Sequence, residues 1–304
     1  MKKEVLCLGH VLYDSRNYIK EFPKKDKTAI VNNISCSVGG SATNTSIDLA
    51  ILGMESRIVG SVGNDELGSF VLRNLKKYGV DVKYIKLGNG KTGHSTIVID
   101  KNGDVKIYEY VGVSDNPLKP NKKMFAGVNH LHMSGYAIPT IKNFAEFGKN
   151  MGVQMSLDPG RFISHQGHEK MKAILKKIDY LFLNKHELLE LYPHDDICDA
   201  LENLGDIYDL SISVKLGSEG VMGYEKNNNK IYTVKKRNVK AVDTVGAGDS
   251  YDAGFLFYLL NGKSFKESLD FGNKVAAINV TCEGTHTIPH WKKVDSKLKS
   301  LERN

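Results

Sequence analysis

The stretch Asp243-Thr-Val-Gly-Ala-Gly-Asp249-Ser-Tyr-Asp252-Ala-Gly254 decides the fold, because it joins a glycine turn to an apolar segment. Gly246, Ala247 and Gly248 allow a tight backbone turn, and the apolar run 253–260 behind them predicts a helix packed in a core. The amides at the beginning of a helix have no partner within it, and the positive end of the helix dipole lies there. The stretch therefore predicts an anion-binding site.

Asp249 lies at this predicted helix start, and two interpretations fit it. As a general base it would take a proton from a hydroxyl, while the amides of residues 246–248 hold the charge that develops on a transferred group. As a cap of an ordinary glycine loop it would only satisfy backbone amides. The stretch alone does not separate catalysis from capping, so the rest of the chain has to do so.

Composition narrows the class of protein. A chain of 304 residues with 41% hydrophobic content can form one large α/β domain or two smaller ones. Its four cysteines are widely spaced, which indicates neither zinc nor a disulfide framework. No apolar run approaches the ~20 residues of a membrane span, and the N-terminus has no signal-peptide pattern. We therefore expect a cytoplasmic protein with no membrane partner.

The charge balance is basic but dispersed. The chain has 42 Lys and Arg against 35 Asp and Glu, a formal net charge of +7. No block of five or more like charges occurs, which argues against nucleic acid as a partner. A basic surface of this kind helps to attract anionic small molecules.

Apolar segments alternate with helical segments along most of the chain. Strands are predicted at Val5–Leu8, at Arg57–Gly63 and at four places between residues 128 and 216, with helices between them. Right-handed crossovers then place the strands in a doubly wound, mostly parallel sheet flanked by helices. We predict one α/β domain over residues 1–304.

A small β-sheet lid is predicted from segments of about 11–37 and 94–112. The runs 95–100 and 105–110 flank Asn102-Gly103, which is typical of a hairpin. The pieces between Tyr18 and Ser37 are interrupted by Pro23 and are predicted to be edge strands.

Polar residues follow several predicted strands, where α/β folds bind ligands. Asp14 lies in a polar loop shortly after the first strand. Asn184 and Glu187 suit hydrated Mg²⁺, although a capping Asn with a first-turn Glu explains the same pair. Arg161, in a Pro-Gly turn, suits a carboxylate or phosphate, although such an Arg is often only exposed.

A further glycine turn, Lys215-Leu-Gly217-Ser-Glu-Gly220, offers amides to phosphate, and a plain hairpin entry explains it equally well.

Considered together, the motifs resemble those of the ribokinase-like family, also called the phosphofructokinase-B carbohydrate kinases. The motifs that carry the resemblance are Gly39-Gly40-Ser-Ala-Thr-Asn44, Val62-Gly-Asn-Asp-Glu-Leu-Gly68, Asn184-x-x-Glu187, Lys215-x-Gly-x-x-Gly220 and the stretch 243–249. They follow the family's order from Gly9 to about Pro289.

The resemblance implies an ATP-dependent kinase with the doubly wound domain and lid predicted above. It makes Asp249 the general base that activates an acceptor hydroxyl, and residues 246–248 the anion hole for the γ-phosphoryl group. It also implies three binding sites. The acceptor hydroxyls would be bound by Asp14, Gly39, Gly40 and Asn44, and Mg²⁺ with its waters by Asn184 and Glu187. The ATP phosphates would be bound by Lys215, Gly217 and Gly220, with the adenine pocket at Asn273. Members often hold a monovalent cation such as K⁺, which would involve Asp243 and loop 281–287, where Thr285 replaces the usual Ala.

The acceptor stays open at this point. Asp14 and Asn44 suit a polyol or ribosyl group, so we expect a plain or acidic sugar or a sugar phosphate, with Arg161 as a contact for an acid group. A nucleoside is the alternative, with Tyr108 and Tyr110 available to the base.

The sequence gives weaker support to two other classes of protein. An idle ligand-binding member would be expected to lose the base or the anion hole, and both are present. A nucleic-acid-binding protein explains the charge but not the glycine-acid loops. The lid carries Ile30, Val31, Ile97 and Ile107, whose apolar surface predicts a homodimer formed through the lids.

Overall fold

The computed structural model describes residues 3–303, apart from the side chain of Phe162. The strands are β1 (Glu4–Leu8), β2 (Leu12–Ile19), β3 (Val31–Gly39), β4 (Glu55–Gly63), β5 (Asp81–Gly88), β6 (His94–Ile99), β7 (Val105–Tyr110), β8 (His130–Ser134), β9 (Gln154–Asp158), β10 (Tyr180–Asn184), β11 (Ser211–Lys215), β12 (Gly220–Glu225) and β13 (Lys230–Lys235). The helices are α1 (Ser41–Leu52), α2 (Glu66–Lys77), α3 (Ile138–Asn150), α4 (Gly160–Ser164), α5 (His168–Leu175), α6 (Lys185–Leu191), α7 (Ile197–Tyr208), α8 (Ala247–Leu260), α9 (Phe265–Asn279) and α10 (Val294–Leu301).

The main sheet has nine strands in the order β13-β12-β11-β10-β9-β8-β1-β4-β5. Seven of them, from β11 to β5, run parallel, and β12 and β13 add an antiparallel edge. The chain builds outward from β1 to β4 and β5 on one side and to β8 through β11 on the other. The strand order therefore reverses beside β1, and ligands bind at such a point, outside the carboxyl ends of the strands.

Helices cover both faces of this sheet. One core contains Leu49 of α1, Phe255 of α8 and Leu269 of α9, and the other contains Phe144 of α3 and Leu204 of α7. Two buried cores on either side of one sheet confirm the predicted doubly wound α/β class. In the part of the chain that the structure describes, no helix is long and apolar enough to cross a membrane.

A second sheet has four strands in the order β3-β2-β6-β7; β2 and β3 follow β1 in the chain, and β6 and β7 follow β5. Strand β2 pairs with β3 on one side and with β6 on the other, so Asp14 lies in a central strand and not in the predicted polar loop, and the prediction of edge strands from Tyr18 onward was wrong for Tyr18 and Ile19. It failed because β6, which covers β2, comes from a distant part of the chain. The β6–β7 hairpin around Asn102-Gly103 is confirmed.

Two other details differ from the sequence analysis. Strand β5 was not predicted, because its lysine-rich sequence is half-exposed at the edge of the main sheet and has little apolar signal. Ile97 is buried, whereas Ile30, Val31 and Ile107 are exposed. The apolar surface of the second sheet is therefore carried by β3, by β7 and by the segment before β3.

Candidate active site

Helix α8 begins where the glycine stretch predicted it. Gly246 caps the helix with φ 78°, a left-handed conformation that favours glycine. A Cβ on Gly246 would lie 2.7 Å from Thr285 Cγ2, so this turn is also packed against loop 281–287. The Ala247 amide donates a long, 3.3 Å hydrogen bond to the Thr244 carbonyl. The first turn of α8 thus presents backbone amides beside Asp249.

Asp249 is held from the neighbouring helix. Asn44 Nδ2, on α1, donates to Asp249 Oδ2 at 2.7 Å, and Thr45 Oγ1 donates to the Asp249 carbonyl at 3.4 Å. Burial raises the pKa of Asp249 to about 7; nearby Asp158 and Asp48 add to this, while the Asn44 hydrogen bond and Lys215 act against it. A carboxyl with this pKa can exchange a proton near neutral pH.

Asp14 lies on β2 in a space that a glycine provides. A Cβ on Gly39 would lie 2.0 Å from Asp14 Oδ1, so any side chain there would displace the carboxylate. Asp14 is buried, and burial is the main reason why its pKa is raised, against the opposing effects of Arg16 and Ser95. Gly40 turns with φ 97° beneath the His10 carbonyl and caps α1, the helix that carries Asn44.

Lys215 is the centre of a buried ionic cluster at the ends of β9 and β11. Its Nζ donates to Asp158 Oδ2 at 2.7 Å and to Asp252 Oδ1 at 3.1 Å. Burial lowers the pKa of Lys215, but the two carboxyls outweigh burial and the net pKa is raised. For Asp158, burial raises the pKa, but Lys215 and the hydrogen bonds from Asp252 and Lys215 together outweigh it and the net pKa is lowered. For Asp252, burial dominates and the pKa is raised well above its usual range. The environment therefore favours the ionised form of Asp158 more strongly than that of Asp252.

The cluster lies directly under the helix start. A Cβ on Gly248 would lie 3.5 Å from Lys215 Nζ, which places this cation just below the predicted anion hole. The sequence analysis assigned Lys215 to the nucleotide phosphates and gave Asp158 and Asp252 no role. Asp158 could have been identified in the sequence by its position at the end of a predicted strand. Asp252 could have been identified by its place in the glycine stretch, one helical turn from Asp249.

Asn184 and Glu187 form the capping arrangement that the sequence left as one alternative. Asn184 Oδ1 accepts from the Glu187 amide at 2.9 Å, and Glu187 Oε2 accepts from the Asn184 amide at 2.8 Å. Burial, with Asp158 as the next contribution, raises the pKa of Glu187 to about 7. The pair thus caps α6, and the nearby Asp158 carboxylate electrostatically couples Glu187 to the buried cluster.

The other residues assigned to the nucleotide, and Arg161, which was assigned to the acceptor, have identifiable structural contacts. Gly217 begins a 3-10 helix with φ 59°, and Gly220 begins β12 where a Cβ would lie 2.2 Å from the Val234 carbonyl. Asn273 Nδ2 donates to the Lys235 carbonyl at 2.9 Å and ties α9 to β13. Arg161 is exposed on α4, with Nη2 3.2 Å from His186 Nε2.

Loop 281–287 is attached to the glycine stretch. Asp243 accepts from the Val245 amide through Oδ1 and from the Gly284 amide through Oδ2, each at 2.9 Å. Below this, Asp48 of α1 accepts from Ser250 Oγ and lies 3.1 Å from His286 Nδ1. The Asp48–His286 pair could not be recognised in the sequence, since 238 residues separate the two and neither belongs to one of the motifs.

Comparison with protein families and solved structures gives consistent results. The model of the "pfkB family carbohydrate kinase" matches residues 2–292. The chain is 30% identical over 289 residues to the ATP-dependent ribose-1-phosphate kinase of Halopiger xanaduensis, covering 94% of each chain. Its fold is similar to the crystal structure of the Methanocaldococcus jannaschii nucleoside kinase, an archaeal member of the ribokinase family, with a TM-score of 0.85, 25% identity and 98% of each chain covered.

The fold is also similar to that of Arabidopsis thaliana ribokinase, solved in complex with ribose and ATP. That similarity has a TM-score of 0.85 at 24% identity and covers 98% of this chain and 99% of the other. The similarities extend over both sheets, so the second sheet belongs to the shared fold.

Proposed function

Because the chain belongs to the pfkB family of carbohydrate kinases and is a phosphotransferase with an alcohol group as acceptor, we propose that it transfers the γ-phosphoryl group of ATP to a hydroxyl of a sugar. One observation carries the proposal: Asp249 combines a pKa of about 7 with a place in the first turn of α8. A base and an anion site are then adjacent, as phosphoryl transfer requires.

In this reaction Asp249 accepts the proton of the acceptor hydroxyl as its oxygen attacks the γ-phosphorus. The amides of Gly246, Ala247 and Gly248 hold the charge on the phosphoryl oxygens, and Lys215, 3.5 Å from a Cβ on Gly248, adds positive potential from below. Asn44 orients Asp249 by its 2.7 Å hydrogen bond. The bond from the γ-phosphorus to the bridging oxygen breaks, and ADP leaves.

The donor set supports Mg²⁺ bound together with ATP. Residues 3–303 contain no group of three or more His, Cys, Asp or Glu side chains placed to hold a metal. Mg²⁺ is commonly bound by one or two carboxylates, waters and the phosphates of a nucleotide, and Glu187 is a suitable buried carboxylate. When bound, Mg²⁺ neutralises phosphate charge. We further propose that Gly217, Gly220, Asn184 and Asn273 line the nucleotide side.

A monovalent cation such as K⁺ fits beside Asp243. This carboxylate joins the glycine stretch to Gly284, so a cation there would stabilise both loops. Each carboxylate oxygen accepts one amide and retains lone-pair capacity for a cation.

The acceptor side is supported by Asp14, Gly39, Gly40 and Asn44. Asn44 Oδ1 is buried with no hydrogen-bond partner among the described residues, and the buried carboxyl group of Asp14 can accept hydrogen bonds from hydroxyl groups. Both suit the vicinal hydroxyls of a ribosyl group. The relative named as a ribose-1-phosphate kinase favours a sugar or sugar phosphate. A nucleoside is the second candidate, because a nucleoside kinase shares the fold. Tyr108 and Tyr110 do not support it, because the strand register places them on the face of the second sheet opposite Asp14.

Replacement of the base tests the proposal. We expect Asp249→Asn to lower kcat at least ~10²-fold, the usual contribution of a general base, while ATP binding measured by calorimetry stays within a few-fold of the wild type. In the wild type, kcat/KM should fall as the pH decreases below about 7, because protonated Asp249 cannot accept a proton.

Asp195→Asn, a change at an exposed carboxyl on the same chain, serves as the control and should leave kcat unchanged. An Asp249→Asn enzyme with near wild-type kcat would contradict the assignment of the base.

A further inference from the structure

A cavity of about 300 Å³ lies beyond Asp14, between the second sheet and loop 281–287. Strands β2 and β3, helix α2 and the loop all contribute to its wall. The lining residues that matter here are Arg16, Ser37, Thr285 and His286. None of them has a role in the transfer step described above.

Arg16 is a buried cation whose guanidinium forms no salt bridge within the described residues, although its charge acts on the nearby Asp14 carboxyl. It is 2% exposed, and the hydrogen bond recorded for its guanidinium is a long one, from Nη1 to Ser37 Oγ at 3.4 Å. Within the described chain, Nε and Nη2 have no hydrogen-bond partner, and no carboxylate lies within 4.0 Å of the guanidinium. A buried charge without a salt bridge destabilises the fold, so an anion from outside the chain would stabilise it by pairing with Arg16.

Two more polar atoms of the cavity wall lack partners. Thr285 Oγ1 and His286 Nε2 are buried without a hydrogen-bond partner in residues 3–303. The His286 ring is fixed by its Nδ1 contact with Asp48, which leaves Nε2 available to a ligand in the cavity. A guanidinium, a hydroxyl and an imidazole from separate segments thus meet at one place.

The position of the cavity relates it to the acceptor. Arg16 follows Asp14 by two positions on β2, so the two side chains lie on the same face of the strand, with Cα atoms about 6–7 Å apart. Gly284 lies beside Arg16, with Nη1 3.7 Å from where its Cβ would be, and the same loop contacts Gly246 through Thr285. The cavity therefore lies at the acceptor end of the site, past the residues proposed to bind hydroxyls.

We propose that this cavity binds the phosphate group of a sugar-phosphate acceptor, with Arg16, Thr285 and His286 as its contacts. The inference deepens the proposed function and rests on it. Two guanidinium nitrogens and a hydroxyl supply more donors than a planar carboxylate needs, and they match the three oxygens of a phosphate monoester. The enzyme phosphorylates the remote hydroxyl: the γ-phosphoryl group moves to that oxygen, Asp249 takes the proton, and a sugar bisphosphate and ADP result.

Nearby negative charge gives selectivity to the subsite. Asp14 shares the strand face with Arg16, and Glu283 lies at the exposed rim of the cavity. An anion bound away from Arg16 would be repelled by both carboxylates, so the phosphate has to lie against the guanidinium. Arg161, the candidate from the sequence for an acidic acceptor, instead lies on α4 against His186 and is not a wall of this cavity.

The test compares acceptors with ATP as the donor: ribose, ribose 1-phosphate, keto-deoxygluconate and adenosine. We expect wild-type kcat/KM to be highest for ribose 1-phosphate. Arg16→Gln should raise the KM for ribose 1-phosphate by roughly 10- to 100-fold, the effect of losing charge-assisted hydrogen bonds, with kcat and the KM for ATP within about two-fold of wild type. Activity toward ribose should change less than about two-fold.

Arg73→Gln, which removes an exposed arginine from α2, is the matched control and should change neither acceptor. A second readout does not depend on turnover: inorganic phosphate at 100 times its Kd should stabilise the wild-type fold, as mass action requires, and should not stabilise Arg16→Gln. Thr285→Val, which removes one donor and keeps the side-chain size, should give a smaller rise in KM and covers the case in which Arg16→Gln does not fold.

A preference for ribose, keto-deoxygluconate or adenosine over ribose 1-phosphate would overturn the subsite, as would equal losses for charged and neutral acceptors in Arg16→Gln. A rise in the KM for ATP alone would place Arg16 on the donor side and also overturn it. Failure of the kinase assignment itself has a different signature, since no acceptor would then be phosphorylated by the wild type.

Discussion

Asp249 shows how a single residue is adjusted by its surroundings. Burial raises its pKa to about 7, and the carboxylates of Asp158 and Asp48 act in the same direction. Asn44 and Lys215 oppose this shift and keep the ionised form accessible near neutral pH. A carboxyl group with a pKa near 7 is suited to proton transfer. Its ionised form, however, lowers the stability of the folded protein, because the charge is buried.

The pH dependence of stability follows from the sign of this shift. The folded pKa of Asp249 is raised above the value of 3.8 for an ordinary Asp, so its contribution to stability is full below about pH 4 and is lost as the pH rises through about 7. Asp249→Asn removes the charge and keeps a carbonyl that accepts from Asn44. We expect its Tm to exceed that of the wild type by roughly 2–4 °C at pH 8, and by less at pH 4.5.

Thermal unfolding followed by circular dichroism at the two pH values measures this difference, and exposed Asp195→Asn should show none. A Tm advantage that is equal at pH 4.5 and pH 8 would contradict the assigned direction of the pKa shift.

At the scale of elements, the ends of β9 and β11 are joined to α8 by the buried cluster of Asp158, Lys215 and Asp252. The three side chains come from two strands and one helix, so the cluster fixes the helix start over the sheet. Loss of one partner from such a cluster leaves a buried charge uncompensated, which is far more costly than loss of a surface pair.

Removal of the cation tests the cluster. We expect Lys215→Met to lower the free energy of unfolding by about 3–5 kcal/mol, because Asp158 is left buried and ionised. The double variant Lys215→Met/Asp158→Asn should recover much of the loss, since an amide can still accept from the Gly160 amide. Urea unfolding of each variant measures both effects.

The matched control is Lys172→Met, which breaks an exposed pair with Glu169 and should cost less than about 1 kcal/mol. Equal losses for Lys215→Met and Lys172→Met would show that the buried cluster contributes nothing particular to stability.

At the scale of the whole molecule, the second sheet presents an apolar face to its surroundings. Ile34 on β3 is 58% exposed, and the strand register places it on the same face of the sheet as Tyr108 and Tyr110 of β7, which are 61% and 50% exposed. Exposed apolar side chains on edge strands β3 and β7 favour association. We propose that two copies pair through their second sheets to form the homodimer that the sequence suggested.

A charge in this face should separate the copies. We expect the wild type to sediment as a dimer at micromolar concentration and Ile34→Lys to sediment as a monomer, because a lysine would have to lose its hydration in an apolar interface. Ile207→Lys, at a 50% exposed isoleucine on α7, is the control and should stay dimeric. A wild type that sediments as a monomer would exclude the dimer.

The sequence by itself determined the fold class, since alternating apolar strands and helices with short turns permit few topologies. It also identified Gly246 and Gly39, because a positive φ and a close approach to Asp14 each exclude a side chain, and such restrictions leave glycines in recognisable motifs. The acidic and amide side chains at strand ends could also be identified from the sequence, since their positions depend on local features. The residues that they contact in the fold could not.

Only the tertiary structure decided which of these groups are buried, paired or left without a partner. Lys215 proved to bind Asp158 and Asp252, and Arg16 proved to be buried without a salt bridge in the described chain. The energy of a charge depends on the burial and on the distances to other charges, and these are set by segments far apart in sequence. Side-chain types and their spacing therefore specified the chemistry available to this protein, and the packing of distant segments specified how it is arranged.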